Sequence, residues 1–282
     1  MELRDLGTTG VRVSAMGLGL VKLGRTAGLK HPGVIALPDD AAAAALLETA
    51  REVGINYLDT APAYGVSEER LGALLAAGAG GGREAWAIST KAGEEFDGER
   101  SRFDFSAAAI TASVERSLRR LRTDRVEAVL LHLGDDDLRT IEETDAMGAL
   151  ERLKRAGKAR AIGASTKTPE AARAAMERGA DVLMLAYNPR DTADGEVIDE
   201  ARRRGVGVVV KKALLSGHLG ELSRLAPGDL EAAGGDPVEA CLRFVLSGER
   251  GRGVSSVVVG TTNPGHLRHN AAAMERALRA GR

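Results

Sequence analysis

The sequence predicts an α/β fold of the (β/α)8 or TIM-barrel class with an N-terminal β-hairpin. Three observations predict it. Eight short apolar runs alternate with longer helical patterns between Val13 and Leu278. Each connection is long enough to return the chain for a parallel crossover. Runs such as VEAVLLH and VGVVVK are apolar on both faces, as strands of a helix-covered parallel sheet are. An open doubly wound sheet would carry a Gly-rich fingerprint that opens straight into a helix, and no helix follows directly behind GLGLVKLG. A barrel of this length is one domain, residues 1–282.

Taken in order, Glu2 to Arg12 reads as a hairpin turning at Thr9-Gly10, and Val13 to Leu20 as the first strand. Pro38-Asp39 signals the start of a helix from Asp40 to Val53. Tyr57 to Asp59 is the second strand, followed by an amphipathic helix from Ser67-Glu68. The third unit pairs strand Ala85–Lys91 with helix Ser106–Leu121, and the fourth pairs Val126–His132 with Ile141–Ala156. Ala159–Ser165 with Pro169–Arg178, and Val182–Tyr187 with Glu196–Arg204, make the fifth and sixth. The last two are Val206–Lys211 with Pro237–Leu246, and Val254–Gly260 with Pro264–Leu278. Val21–Leu37 and Lys212–Asp236 are long loops on the face where barrel enzymes build their sites.

A formal net charge of −1 argues against nucleic acid or an anionic membrane as a partner. No apolar run reaches the ~20 residues of a membrane span, and the N-terminus lacks a secretory pattern, so the expected location is cytoplasmic. The one cysteine, Cys241, lies on an apolar helical face and reads as a packed thiol. The five histidines are scattered, and no metal site is expected; His31, His218 and His269 read as loop or surface residues. Trp86 reads as packing on the side away from the site.

Polar residues at strand C-termini are the catalytic candidates on a barrel. They are Asp59, Lys91, His132 and Ser165, then Tyr187 with Asn188 and Lys211 with Lys212. Tyr64 follows Asp59 in a loop. A buried lysine beside a carboxylate stays charged and favours the phenolate of a nearby tyrosine, lowering its pKa. Such a tyrosine donates a proton to a carbonyl oxygen gaining negative charge, while a histidine orients or polarises that oxygen. The set suits carbonyl reduction if a hydride donor binds alongside.

GINYLDTAPAYGVSEERLG (Gly54–Gly72) resembles the main signature of the aldo-keto reductases. STKAG around Lys91 resembles the lysine motif of that family, VEAVLLHLGD its histidine strand, and GTTNPGHLRHN (Gly260–Asn270) its cofactor-phosphate segment. The resemblance runs in order from Val13 to about Asn270. It implies Tyr64 as general acid, Asp59 and Lys91 tuning it, His132 orienting a small-molecule carbonyl substrate, and hydride from NADPH bound across the barrel mouth. Thr261, Thr262 and Asn263 would offer groups to the 2′-phosphate, and Asn270 would contact adenine.

Several positions depart from the family pattern. Gly260 and His266 stand where NADPH-preferring members carry lysine and arginine, which makes NADH possible; Arg268 is a candidate substitute on a different helical face. Ser165-Thr166 replaces a Ser-Asn pair, Met184 a glutamine, and Lys211 a stacking aromatic, with Asn188 a candidate replacement contact. Lys211 or Lys212 is expected to reach the cofactor pyrophosphate. Leu20, Leu23 and Leu133 are expected at the substrate mouth, with a wall from Phe96, Phe103 and Phe105, and a long C-terminal loop is not expected. Small aldehydes or ketones suit such a mouth. Two rivals remain: a cofactor-binding module with little turnover, and a Schiff-base lyase using Lys91.

Overall fold

The computed structural model describes residues 1–28 and 36–281. His31 and much of the loop expected between Val21 and Leu37 lie outside the described residues. Eight parallel strands close into a barrel: β1 (Met16–Gly19), β2 (Tyr57–Asp59), β3 (Ala87–Ala92), β4 (Val126–His132), β5 (Ala159–Ser165), β6 (Val182–Ala186), β7 (Gly207–Lys211) and β8 (Ser256–Val259). β8 returns to β1 with Val257 opposite Met16 and Val259 opposite Leu18. The outer ring is α1 (Asp40–Glu52), α2 (Ser67–Ala76), α3 (Ala107–Leu121), α4 (Ala146–Arg155), α5 (Pro169–Glu177), α6 (Gly195–Arg204), α7 (Pro237–Leu246) and α8 (Pro264–Ala280).

The helices begin where capping chemistry permits. Asp39, Ser106, Thr168, Asp236 and Asn263 each accept a backbone N–H from the first turn of the helix that follows. Pro169, Pro237 and Pro264 open three of those helices, where the missing N–H costs nothing.

Two segments differ from expectation. The helix expected over Ile141–Ala156 is broken into Asp137–Glu143 and α4, with Thr144 extended at φ −116° between them. The Thr144 hydroxyl donates to Thr140 O and accepts from Ala146 N, so a side chain takes over groups that helix continuation would use. The loop after β3 folds into an antiparallel ribbon, Glu94–Phe96 against Ser101–Phe103, turning at Asp97-Gly98.

The expected hairpin is present, Leu3–Asp5 against Arg12–Ser14. It plugs the N-terminal end of the barrel: Leu6, Val11 and Val13 pack with Ala128, Ala161 and Val209 from the strand interiors. Among the described residues no helix is long and apolar enough to cross a membrane.

Small residues let the strands come together in a chain poor in aromatics. A Cβ at Gly163 on β5 would sit 1.7 Å from Val182 O on β6, which is backbone and cannot swing away. Gly163→Ala is expected to destabilise the barrel by about 3 kcal/mol, the upper range for overpacking. Thermal unfolding followed by circular dichroism checks this; an unchanged midpoint would mean that the strands part without cost.

Candidate active site

Gly54 to Gly72 builds β2, a tight loop and the start of α2. Gly24 and Gly65 meet so closely that a Cβ on Gly65 would lie 2.2 Å from Gly24 O, and one on Gly24 2.3 Å from Tyr64 O. This contact fixes the loop that carries Tyr64. Ser67 donates to Leu20 O at 2.9 Å, and the buried Glu68 accepts from Thr90 Oγ1 at 2.6 Å, tying α2 to β3.

Asp59, Lys91, Tyr64 and His132 converge at the C-terminal mouth, on one cavity of about 760 Å³. That volume is within the range of small-molecule sites. Lys91 Nζ lies 2.7 Å from both Asp59 carboxylate oxygens, and both residues are fully buried. It also donates to Thr60 O and to the Tyr64 hydroxyl, each at 3.1 Å. Tyr64 is 3.4 Å from Asp59 Oδ2. Below the pair, Tyr57 donates to Ser89 Oγ at 2.9 Å and Ser89 to Asp59 Oδ1 at 2.8 Å. The carboxylate is thus held from below by hydroxyls and from above by the ammonium.

The electrostatics follow from this packing. Burial would lower the Lys91 pKa, but Asp59 and Tyr64 outweigh it and hold it above the usual lysine value. Lys91 therefore stays an ammonium, unsuited to Schiff-base nucleophilicity. Tyr64 corrects the expectation of a lowered pKa: burial pushes it up to about 12, with Asp59 adding and Lys91 opposing. The phenol remains protonated at neutral pH and available as a donor. The His132 ring meets Tyr64 edge-on at 6.0 Å between centroids, and its buried Nδ1 lies 2.8 Å from Glu94 Oε2 without making a hydrogen bond.

Of the expected cofactor residues, Ser165, Lys211, Lys212, Gly260 and Thr261 line the cavity, as do His266 and Asn270. Lys211 Nζ donates to Ser165 Oγ at 2.9 Å and Thr166 O at 2.8 Å. Burial draws its pKa down to about 7, helped by Lys212 and Lys91 and opposed by Asp194.

Five expected residues stand outside the cavity lining. Tyr187 packs among the core residues outside the barrel strands, stacks on Phe244 at 5.4 Å and accepts from Arg250 Nη1 at 2.9 Å. Asn188 spends its amide on the loop, donating to Lys212 O and accepting from Arg190 N and Asp191 N. Thr166 is fully buried behind Ser165. Asn263 caps α8, accepting from Gly265 N and His266 N, and Thr262 precedes it. Arg268 is tied to Glu52 at 2.7 Å, outside the cavity.

The substrate wall also differs from expectation. Leu20 and Leu23 are fully buried in the core, and Val21 and Lys22 line the cavity instead. Leu133 and Phe103 do line it. Phe96 lies under Arg25 at 3.8 Å, and Phe105 stacks on Phe103 at 6.2 Å. Among lining residues outside the expected set, Glu94, Lys22, Lys167, Ser216 and His269 carry polar groups; the Asp-Gly turn was the sequence signal for the ribbon bearing Glu94. Cys241 is a packed thiol, with burial raising its pKa to about 12. Among the described residues no group of three or more His, Cys, Asp or Glu is arranged to hold a metal ion.

Residues 15–228 match the profile of the aldo/keto reductase family. The chain is 30% identical to L-galactose dehydrogenase of Arabidopsis thaliana, over 97% of this chain and 88% of that protein. It is 31% identical to D-threo-aldose 1-dehydrogenase of a Pseudomonas species, over 93% and 89%. A solved Pseudomonas aeruginosa structure assigned to the aldo-keto reductases superposes with a TM-score of 0.83 at 46% identity, covering 98% of this chain and 95% of that one. With its Asp59, Tyr64, Lys91 and His132 gathered at the mouth of a closed eight-stranded barrel, the chain belongs to the aldo/keto reductase family.

Proposed function

We propose that this chain reduces aldehyde or ketone carbonyls to alcohols with a reduced nicotinamide dinucleotide, and that Tyr64 is the general acid. The observation that carries the reading is the Tyr64 hydroxyl, 3.1 Å from the Lys91 ammonium and open to the cavity. Lys91 donates to the phenol oxygen, so the phenol's own proton is left to point at an acceptor. Without substrate that acceptor is Asp59 Oδ2, distant at 3.4 Å. A carbonyl oxygen in the cavity offers a better one, and it becomes more basic as the carbon gains an electron pair. Lys91 stabilises the phenolate left behind, and Asp59 holds the ammonium in position.

The donor set suits a dinucleotide. Lys22, Lys167, Lys211, Lys212, His266 and His269 surround the mouth with cationic and hydrogen-bonding groups, against Asp59 and Glu94 as the lining carboxylates. A pyrophosphate matches that balance. Gly260, Thr261 and Asn270 are the chain's own candidates for the adenosine end, and Ser165 for the nicotinamide side. A bound reduced nicotinamide supplies the hydride. Both NADPH and NADH are within this reading, with NADPH the family default. The walls from Val21, Leu133 and Phe103 suit small carbonyl compounds.

The test is direct: titrate NADPH and NADH by protein fluorescence, then follow oxidation of each with an aldehyde. Binding without oxidation would favour the rival reading, a cofactor-binding module.

Lys211 and Lys212 are assigned to the pyrophosphate. Lys211→Met and Lys212→Met are each expected to weaken cofactor affinity roughly tenfold, about 1.4 kcal/mol, and to flatten its salt dependence. With the Lys211 pKa near 7, the ammonium is present below that pH and lost above it, so affinity for the anionic cofactor falls as pH rises through about 7. Unchanged affinity in both variants would remove the assignment.

A further inference from the structure

The lysine that ends β7 differs from Lys91 in its partners. Lys211 lines the cavity together with Tyr64 and His132. Its Nζ donates to Ser165 Oγ at 2.9 Å and to Thr166 O at 2.8 Å, both uncharged oxygens. Among the described residues no carboxylate is its hydrogen-bond or ion-pair partner. Lys91, by contrast, holds both Asp59 oxygens, Thr60 O and the Tyr64 hydroxyl.

Counting hydrogens separates the two amines. An ammonium has three N–H groups, and Lys91 has acceptors for all of them. An uncharged amine has two N–H groups and a lone pair. The two acceptors of Lys211 take two hydrogens, which leaves the lone pair for the cavity. The charges around it favour the same form. Lys212 after β7, Lys91 on β3 and Lys167 after β5 are cations that face it, and His132 on β4 shares the cavity. Asp194, just before α6, is the acid that opposes them; it faces Asp191 and Asp137, and its buried Oδ1 has no hydrogen-bond partner. Burial acts with the cations, so the amine titrates at about 7. Desolvation beside other cations is what turns a lysine into a nucleophile.

We infer that Lys211 is a covalent carbonyl site: in the cofactor-free chain its amine condenses with an aldehyde that enters the cavity and holds it as an imine. The lone pair forms a C–N bond while the C=O π pair moves to oxygen, which takes a proton. The C–O bond of this carbinolamine then breaks, and the oxygen leaves as water with the two hydrogens that began on nitrogen. Nothing is oxidised or reduced. Ser165 Oγ, beside Nζ, is placed to carry the proton from nitrogen to oxygen. The condensation does not depend on the carbonyl-reducing reading. It meets that reading at one point, because the same amine is assigned to the cofactor pyrophosphate. Aldehyde and cofactor therefore compete for Lys211, and excess aldehyde keeps the cofactor out of the free chain.

The experiment adds benzaldehyde to the full wild-type chain at about pH 8 without cofactor, where an ordinary lysine is almost wholly ammonium. Sodium borohydride then reduces the imine to a stable secondary amine, and peptide mass mapping locates it. Lys211 is expected to be labelled at least tenfold faster than any other lysine, with the rate rising as pH passes about 7. Saturating NADP+, which carries no hydride, is expected to slow that labelling at least tenfold. The measurement needs no variant, so no folding defect can obscure it.

Labelling spread evenly over the lysines, or at Lys211 only above about pH 9 as for an ordinary amine, would overturn the proposal. Labelling of Lys211 that NADP+ leaves unchanged would overturn the competition with cofactor. Rapid labelling in a chain that turns over no carbonyl would overturn the reductase reading and leave the covalent site standing; turnover without labelling would do the reverse.

Discussion

Tyr64→Phe is expected to lower kcat for carbonyl reduction by roughly a thousandfold while leaving cofactor affinity within about twofold. The substitution removes one oxygen and keeps the ring that meets His132 edge-on. Lys91 retains both Asp59 oxygens and Thr60 O, so the buried pair is undisturbed. General-acid catalysis is worth about 10²–10⁴ in rate, and loss of the cation-backed phenol falls in that range. The raised pKa sharpens the expectation. An acid must be protonated to donate, and a phenol near 12 stays protonated throughout the neutral range, so Tyr64 contributes no basic limb to the wild-type rate profile there. Steady-state kinetics beside cofactor titration reads both quantities. Turnover that survives in Tyr64→Phe would move the proton donor elsewhere.

Lys91→Met is expected to cost both activity and stability. The ammonium is the main partner of a carboxylate 2% exposed at the base of the cavity. Removing it leaves Asp59 with the Ser89 hydroxyl and Tyr64 alone, and an uncompensated buried charge costs about 3–5 kcal/mol. The rate falls as well, because the phenolate formed by proton transfer loses its counter-charge. Adding Asp59→Asn removes the stranded charge, so the double variant is expected to recover most of the stability and none of the activity. Urea unfolding with kcat for wild type, Lys91→Met and the double variant separates the two effects. A Lys91→Met protein as stable as wild type would mean that the cavity hydrates Asp59 freely.

Much of this was legible in the sequence because the strand pattern is local and repeated. The four central residues sit at strand ends or, for Tyr64, in the tight loop behind one, and a closed barrel gathers strand ends at one mouth. The cofactor side was less legible, and β6 gives the reason. Val182 and Met184 face the barrel interior, whereas Leu183, Leu185 and Tyr187 join the core against the helices. Side chains alternate along a strand, so Met184 and Tyr187, three residues apart, do not share a face. That parity was present in the sequence and rules Tyr187 out of the cavity. On β7 it agrees with expectation, with Val209 inside and Lys211 leading into the mouth. Glu94 was illegible for another reason. Its ribbon is signalled by Asp97-Gly98, but the meeting with His132, far along the chain, exists only in the folded structure.

Among the described residues, the hairpin stoppers the barrel at the end away from the cavity. Leu6, Val11 and Val13 close the far end with hydrocarbon, and the hydroxyl string from Tyr57 through Ser89 ends on the Asp59 carboxylate, which accepts and does not relay. On the proposed role of Tyr64 as general acid, the proton it gives up would be replenished from the cavity mouth.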